Sequence, residues 1–214
     1  MEKNYTQTKL FDGISQEDAA CLINSLNAGI TEYQTPTVII EEGSQVRTFG
    51  VLLSGKGRSY KTDMEGRTLT VTLLKEGSEI GVLLAASPGS KSPVAVAVEA
   101  GSRILFISYD RMLNGEAKHC KAYGSLLGNF MGIVAEKGLV LHERLDCLLR
   151  PTAREKILAY LYKLFIAQGS PLLTVPLDRN AMAEYLNMDR AAAAQAILTG
   201  EGDVFVATDV DYCN

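Results

Sequence analysis

Between residues 36 and 108 the apolar positions fall in short runs: TVIIEEG, TFGVLLSG, GRSYK, RTLTVTLLKEG, PVAVAVEAG and RILFI. Each is rich in β-branched and aliphatic residues, and they recur at the spacing of about 8 to 12 residues typical of antiparallel barrels and sandwiches. Gly43, Gly55, Gly57, Gly66, Gly77 and Gly101 fall between them, at turns where positive φ is commonly needed. On either side the period becomes helical. Residues 8 to 28 predict short helices, with Ser15 capping QEDAACLINSL. After Tyr109 the glycine-turn rhythm ends, and residues 111 to 148 predict one long helix. Its Leu126, Leu127, Phe130 and Val134, followed by Leu141, Leu145 and Leu148, lie near heptad spacing. Such a seam either packs on its own domain or pairs with a copy of itself, and pairing is the favoured reading, with Leu126, Leu127, Phe130, Val134 and Leu141 as dimerisation residues. Pro151 and Thr152 then open a helix over TAREKILAYLYKLFIAQG, where Thr152 and Glu155 form a capping box and Gly169 is the stop. Ile157, Leu158, Leu161, Leu164 and Phe165 make its apolar stripe. The domain boundaries expected from this pattern give segments 1–110, 111–150 and 151–214.

Residues 176 to 198, PLDRNAMAEYLNMDRAAAAQAIL, carry two helix starts close together. Asp178 can cap a first helix whose apolar side is Ala181, Met182, Tyr185 and Leu186. Asn187 stands where a left-handed turn residue is wanted, and Asp189 can cap a second helix from Arg190 to about Leu198. That pattern fits a helix-turn-helix, and it equally fits an ordinary antiparallel helix pair. For a DNA reader the second helix is nearly bare. Ala191, Ala192, Ala193 and Ala194 offer only methyl groups, leaving Arg190 and Gln195 with hydrogen-bonding capacity. From Asp189 to the end five carboxylates face Arg190 alone, a net charge of -4 where a phosphate-binding surface would be basic.

Composition narrows the field further. The chain has 214 residues, 47% of them hydrophobic, and a net charge of -4, enough for one large or two smaller cores. Without an apolar run long enough to span a membrane or a hydrophobic leader, a soluble, cytoplasmic protein with no membrane partner is expected. Cys21, Cys120, Cys147 and Cys213 are scattered without a C-x-x-C pair, which favours reduced, partly buried thiols and no metal site. His119 and His142 read as solvent-facing or packing residues rather than haem ligands. No nucleophile-base constellation or phosphate loop is present, so an enzyme is not expected.

Taken in order along the chain, LFDGIS at 10–15, VIIEEGS at 38–44, VLLSGKGR at 51–58, GSEIGVLL at 77–84, SPVAVAVEAGSRILFI at 92–107, TAREKILAYL at 152–161 and VPLDRNAMAEYLNMDR at 175–190 resemble the Crp/Fnr superfamily of bacterial transcription regulators. The resemblance covers essentially the whole chain. It implies an α+β fold: an N-terminal antiparallel β-roll (a double-stranded β-helix) that senses an effector, a long dimerisation helix, and a C-terminal winged-helix-like helix-turn-helix domain, here with an atypical or truncated wing. It also implies a homodimer with DNA and a small-molecule effector as partners. An effector pocket is expected at Glu79, Ile80, Gly81, Val82, Lys91, Ser92 and Pro93, between the 77–94 segment and the start of the long helix. DNA contacts are expected from Arg179, Asn180, Asp189, Arg190 and Gln195.

Two departures limit what carries over. Cyclic-nucleotide members bind the ribose hydroxyl with a Gly-Glu segment, which Glu79 and Gly81 match, but they pair the cyclic phosphate with an Arg followed by a small hydroxyl residue. Here Lys91-Ser92-Pro93 stands at that place, and lysine lacks the bidentate fork of arginine. A different small organic effector, or none, is therefore expected in place of cyclic AMP, and no cofactor is assigned. On the second helix the family's polar residues are replaced by Ala191, Ala194, Gln195 and Ala196. The leading reading is a regulator with weakened DNA reading. The alternative is an effector- or partner-binding sensor that has lost sequence-specific DNA binding.

Overall fold

A computed structural model describes residues 5–87 and 89–192, together with the backbone of 206–207. The chain divides into two compact units, residues 1–137 and 138–214.

In the first unit, α1 (Gln16–Leu26) starts where Ser15 accepts the backbone N–H of Asp18 at 3.1 Å, and ends at Asn27 in the left-handed conformation. Eight strands follow: β1 (Gly29–Tyr33), β2 (Thr37–Ile40), β3 (Thr48–Ser54), β4 (Gly57–Thr62), β5 (Thr68–Leu74), β6 (Glu79–Ile80), β7 (Ala95–Val98) and β8 (Ser102–Ser108). They form two antiparallel sheets, in the orders β1-β8-β3-β6 and β2-β7-β4-β5. The expected antiparallel β-rich first half is present. Strands β1 and β6 carry no alternating signal in the sequence, because β1 is almost wholly exposed and β6 is two residues long.

Strand β3 reads as a continuous apolar run because both of its faces are covered. Phe49, Val51 and Leu53 join Leu105 and Ile107 of β8 in a core with Leu22 and Leu26 of α1. Leu52 and Ile104 point the other way, into a second core with Ile40, Leu74, Ile80, Val96 and Val98 between the sheets. One sheet thus separates a helical layer from the interior of the roll.

The expected single helix over 111–148 is interrupted. It is replaced by α3 (Tyr109–Asn114), a 3-10 turn at Glu116–His119, and α4 (Tyr123–Leu148). Gly115 closes α3, and a side chain there would collide with the Arg111 carbonyl. The boundary between the compact units falls inside α4, after Lys137.

In the second unit, the capping box of α5 (Ala153–Gln168) forms as expected: Glu155 N–H donates to Thr152 Oγ1 at 3.2 Å and Thr152 N–H to Glu155 Oε2 at 3.1 Å. Gly169 closes the helix at φ 62°. Its apolar stripe is narrower than expected. Ile157 and Leu161 are buried with Tyr160 and Leu164 is partly buried, but Leu158 and Phe165 face outward at 48% and 41% exposure. The pair β9 (Leu173–Thr174) and β10 (Val206–Ala207) is parallel. Between them α6 (Arg179–Tyr185) packs Met182 and Leu186 onto Ile157, Leu161 and Cys147.

The reading of all four cysteines as reduced is corrected by the structure. Cys21 on α1 and Cys120, just before α4, are joined as a disulfide across 99 residues, while Cys147 is a buried free thiol. The partners meet because α1 packs against the 3-10 turn, an adjacency that local spacing cannot reveal. Cys213 lies outside the described residues. Among the described residues no helix is long and apolar enough to cross a membrane.

Candidate functional site

Strand β6 pairs with β3, setting Glu79 opposite Val51 and Ile80 opposite Gly50. Ile80 is buried between the sheets, and Val82, opening the short helix α2 (Val82–Ala85), is buried on the helical side. Gly81 makes the change of direction in a left-handed conformation, φ 70°. A Cβ there would come within 3.2 Å of Val46 and 3.3 Å of Ile40, so both its backbone and its space call for glycine.

The Glu79 side chain is only 11% exposed, and Lys137 Nζ sits 3.0 Å from its Oε2. A second pair lies one residue back on α4: Lys9 Nζ to Glu136 Oε1, 2.6 Å, on the surface. The hydrogen bond to Glu136 raises Lys9 above the usual lysine range, with a smaller push from the Glu79 charge. Sequence reading missed Lys137; a lysine one heptad after Phe130 carries no local mark of a partner on a strand far back in the chain.

Lys91, Ser92 and Pro93 are fastened elsewhere. Lys91 forms an isolated bridge with Gln45 and is exposed, as is Pro93. Ser92 is 2% exposed; its N–H donates to Ser44 O and its carbonyl accepts from Gly43 N–H, both at 2.8 Å. The Ser92 hydroxyl donates to Val94 O at 2.6 Å. The ion-pair partner of Glu79 is thus Lys137 on α4, and Ser92 spends its hydroxyl on its own turn.

The residues expected to bind DNA fall around α6. Asp178 accepts Ala181 N–H at 2.7 Å, Asn187 adopts φ 46°, and Asp189 accepts Ala191 N–H at 2.8 Å where helix resumes at Arg190. Arg179, Asn180, Asp189 and Arg190 are exposed, and Arg190 reaches Glu184 at 3.4 Å. Gln195 lies outside the described residues, as does the second helix beyond Ala192. Two basic residues missed in the sequence hold this turn from below. Arg144 Nε donates to Tyr185 O at 3.0 Å with its guanidinium 4.5 Å over the Tyr185 ring, and Lys156 Nζ donates to Leu186 O and Asn187 O at 3.4 Å. Cations at a helix C-terminus satisfy its last carbonyls and complement its dipole.

Of the five residues assigned to dimerisation, four are used within the first unit. Leu126 and Phe130 are buried at 0% and 3% exposure, and Leu127 and Val134 pack partly buried against the same core; Leu141, in the second unit, is exposed at 54%. Phe130 stacks 4.9 Å from Phe49 and 5.6 Å from Tyr109. Leu126 and Phe130 thus serve the chain's own core, with Leu127 and Val134 packed partly buried against it. His119 and His142 are exposed.

Comparison with known proteins fits this geometry. Residues 30–118 match the family model of the cyclic nucleotide-binding domain. The fold is similar to the catabolite activator protein of Thermus thermophilus, at 18% identity and TM-score 0.54, covering 89% of this chain and 85% of that one. FixK2 of Bradyrhizobium japonicum has 16% identity and TM-score 0.54, covering 80% and 83%. The c-di-GMP responsive global regulator CLP of Xanthomonas campestris has 12% identity and TM-score 0.59, covering 92% and 100%. No curated protein matches the chain in sequence. Residues 30–118 thus resemble the cyclic nucleotide-binding domain, and the chain shares the fold of these three regulators.

Proposed function

We propose that the chain is an effector-responsive transcription regulator that binds DNA as a homodimer. The observation that carries this reading is the capped segment around Asn187: two helix starts fixed by Asp178 and Asp189, with Arg179, Asn180 and Arg190 exposed beside them. Two capped starts so close together fit a helix-turn-helix presenting polar side chains to a groove. The exposed side of α4 supplies the dimer face. Gly124, Gly128, Met131, Ala135, Gly138, His142 and Leu145 follow a 4-3 heptad register, and all are exposed. They are mostly small residues, which suit close approach of two helices.

The proposed effector is a small organic molecule seated at Glu79 and Gly81, on the segment that Ile80 and Val82 anchor in the two cores. Cyclic AMP fits poorly, because its phosphate would need Lys91 and Ser92 at positions where one is exposed and the other is already hydrogen-bonded. A second reading, a sensor without sequence-specific DNA binding, is favoured by the acidic caps and by Arg190 lying against Glu184. Fluorescence anisotropy separates the two. A labelled fragment from upstream of the protein's own gene is titrated at several salt concentrations against a random fragment. A preference of roughly 1000-fold or more supports the regulator, and equal, salt-suppressed binding supports the sensor.

A further inference from the structure

We propose that Cys21 and Cys120 form a thiol–disulfide exchange site, open to small dithiols and to peroxide, that sets the order of the segment leading into α4. The two sulfurs differ in access. Cys21 is exposed on α1, whereas Cys120 is 7% exposed. Their Cα atoms are 6.4 Å apart, within the ordinary range for a bridge. An incoming thiolate therefore attacks the Cys21 sulfur, forming a mixed disulfide there and breaking the bond to Cys120. Cys120 leaves as a thiolate with the bonding electron pair. The Ser25 hydroxyl, 3.3 Å from the Cys120 sulfur, is placed to donate to it, and the exposed Lys118, His119 and Lys121 flank it in sequence.

The second thiolate of the dithiol then displaces Cys21, so that the reagent ends as a cyclic disulfide and the protein as two thiols, having gained two electrons and two protons. In the reverse direction peroxide converts the Cys21 thiol to a sulfenic acid with loss of one water, and the Cys120 thiol displaces a second water to close the bridge.

Position gives the exchange its consequence. Cys120 ends the 3-10 turn, and its carbonyl accepts the N–H of Tyr123, the first residue of α4, at 3.0 Å. The bridge is a direct covalent tie from this entry to α1. Ala117 and Ala122 remain buried on either side, so opening the bridge loosens the entry without dissolving the core.

The test uses the full chain with Cys147→Ser and Cys213→Ser, which removes other pairings. Differential alkylation with mass spectrometry maps the bridge, and amide hydrogen exchange reads residues 116–127. After peroxide the Cys21 and Cys120 peptides are expected linked. After dithiothreitol under native conditions both are expected alkylated, with exchange over 116–127 faster by about tenfold and a melting temperature lower by roughly 10 °C. Cys21→Ser, made in that background and separately in the otherwise unaltered chain, is expected to show the reduced behaviour and to ignore both reagents. The proposal is overturned if peroxide leaves both thiols free, if dithiothreitol opens the bridge only in denaturant, or if reduction leaves exchange over 116–127 unchanged. Neither DNA nor effector enters the assay, so its outcome is independent of the proposed regulatory role.

Discussion

Adjacent residues on α4 make opposite predictions, because Phe130 lies in the core and Met131 on the exposed seam. Phe130 is 3% exposed and touches two rings; Met131 is 64% exposed. Phe130→Ala removes a ring of about 150 Å² or more, worth roughly 3–5 kcal/mol in a buried site once the cavity is counted. We take about 4 kcal/mol. With a urea m-value of about 2 kcal/mol/M, the unfolding midpoint falls by about 2 M. Met131→Glu removes little buried surface but sets a carboxylate on the proposed dimer face. Its monomer should lose less than about 0.5 kcal/mol while the association constant drops at least about tenfold. Urea denaturation at fixed concentration and sedimentation equilibrium read the two quantities separately. If Phe130→Ala weakens association while moving the unfolding midpoint by less than about 0.5 M, the core placement of this face is wrong and the heptad leucines pair between copies after all.

Three further outcomes follow from local geometry. Thr152→Ala breaks the capping box and should cost about 1–2 kcal/mol, seen as a lower melting temperature for the second unit. Asn187→Ala removes the short polar side chain that eases the left-handed conformation at φ 46° and should cost about 1 kcal/mol, whereas Asn187→Gly should be close to neutral; chemical denaturation tells them apart. Burial pushes Tyr160 up to about 12, above its unfolded value near 10, so the native state keeps a proton that the unfolded state sheds. Stability is therefore full below pH 10 and falls as the pH rises toward 12. Phenolate absorbance should show a late tyrosine that disappears in Tyr160→Phe, and an unchanged titration curve in that variant would refute the assignment.

What the sequence made legible were the features whose two partners lie within a few residues of each other. Ser15, Thr152 with Glu155, Gly169, Asp178 and Asn187 all behave as their local chemistry dictates. The buried strands were legible for a related reason: β3 is apolar throughout because both faces are covered, and such a run is hard to mistake. Illegible were pairings set only by the closed fold. Nothing near Cys21 announces Cys120, and nothing near Glu79 announces Lys137. The leucines of α4 mark an intermediate case. Their spacing shows that one face must be covered, but periodicity is silent on whether the cover is the chain's own core or a second copy.

The Glu79–Lys137 pair occupies the carboxylate that a ligand in the proposed pocket would need. In the cyclic-nucleotide regulators whose Gly-Glu segment Glu79 and Gly81 resemble, the glutamate accepts from ribose hydroxyls. Here it is already paired with an ammonium 3.0 Å away, and an interaction between two charged groups is stronger than one with a neutral hydroxyl. A neutral diol that displaces Lys137 thus exchanges a stronger partner for a weaker one, which disfavours ribose-type ligands quite apart from the fate of their phosphate. Lys137→Met leaves a nearly buried carboxylate without its partner and should destabilise the free protein by about 1–3 kcal/mol. A ligand whose hydroxyls donate to Glu79 recovers part of that loss, so cyclic AMP should bind Lys137→Met at least about tenfold more tightly than the unaltered chain, as read by calorimetry. Adding Glu79→Gln removes the unpaired charge and should abolish both the destabilisation and the gain in affinity. If Lys137→Met binds cyclic AMP no better while Glu79 stays folded in place, the carboxylate does not face a ligand. Its pairing with α4 is then purely structural, and the effector site must be sought elsewhere on the roll.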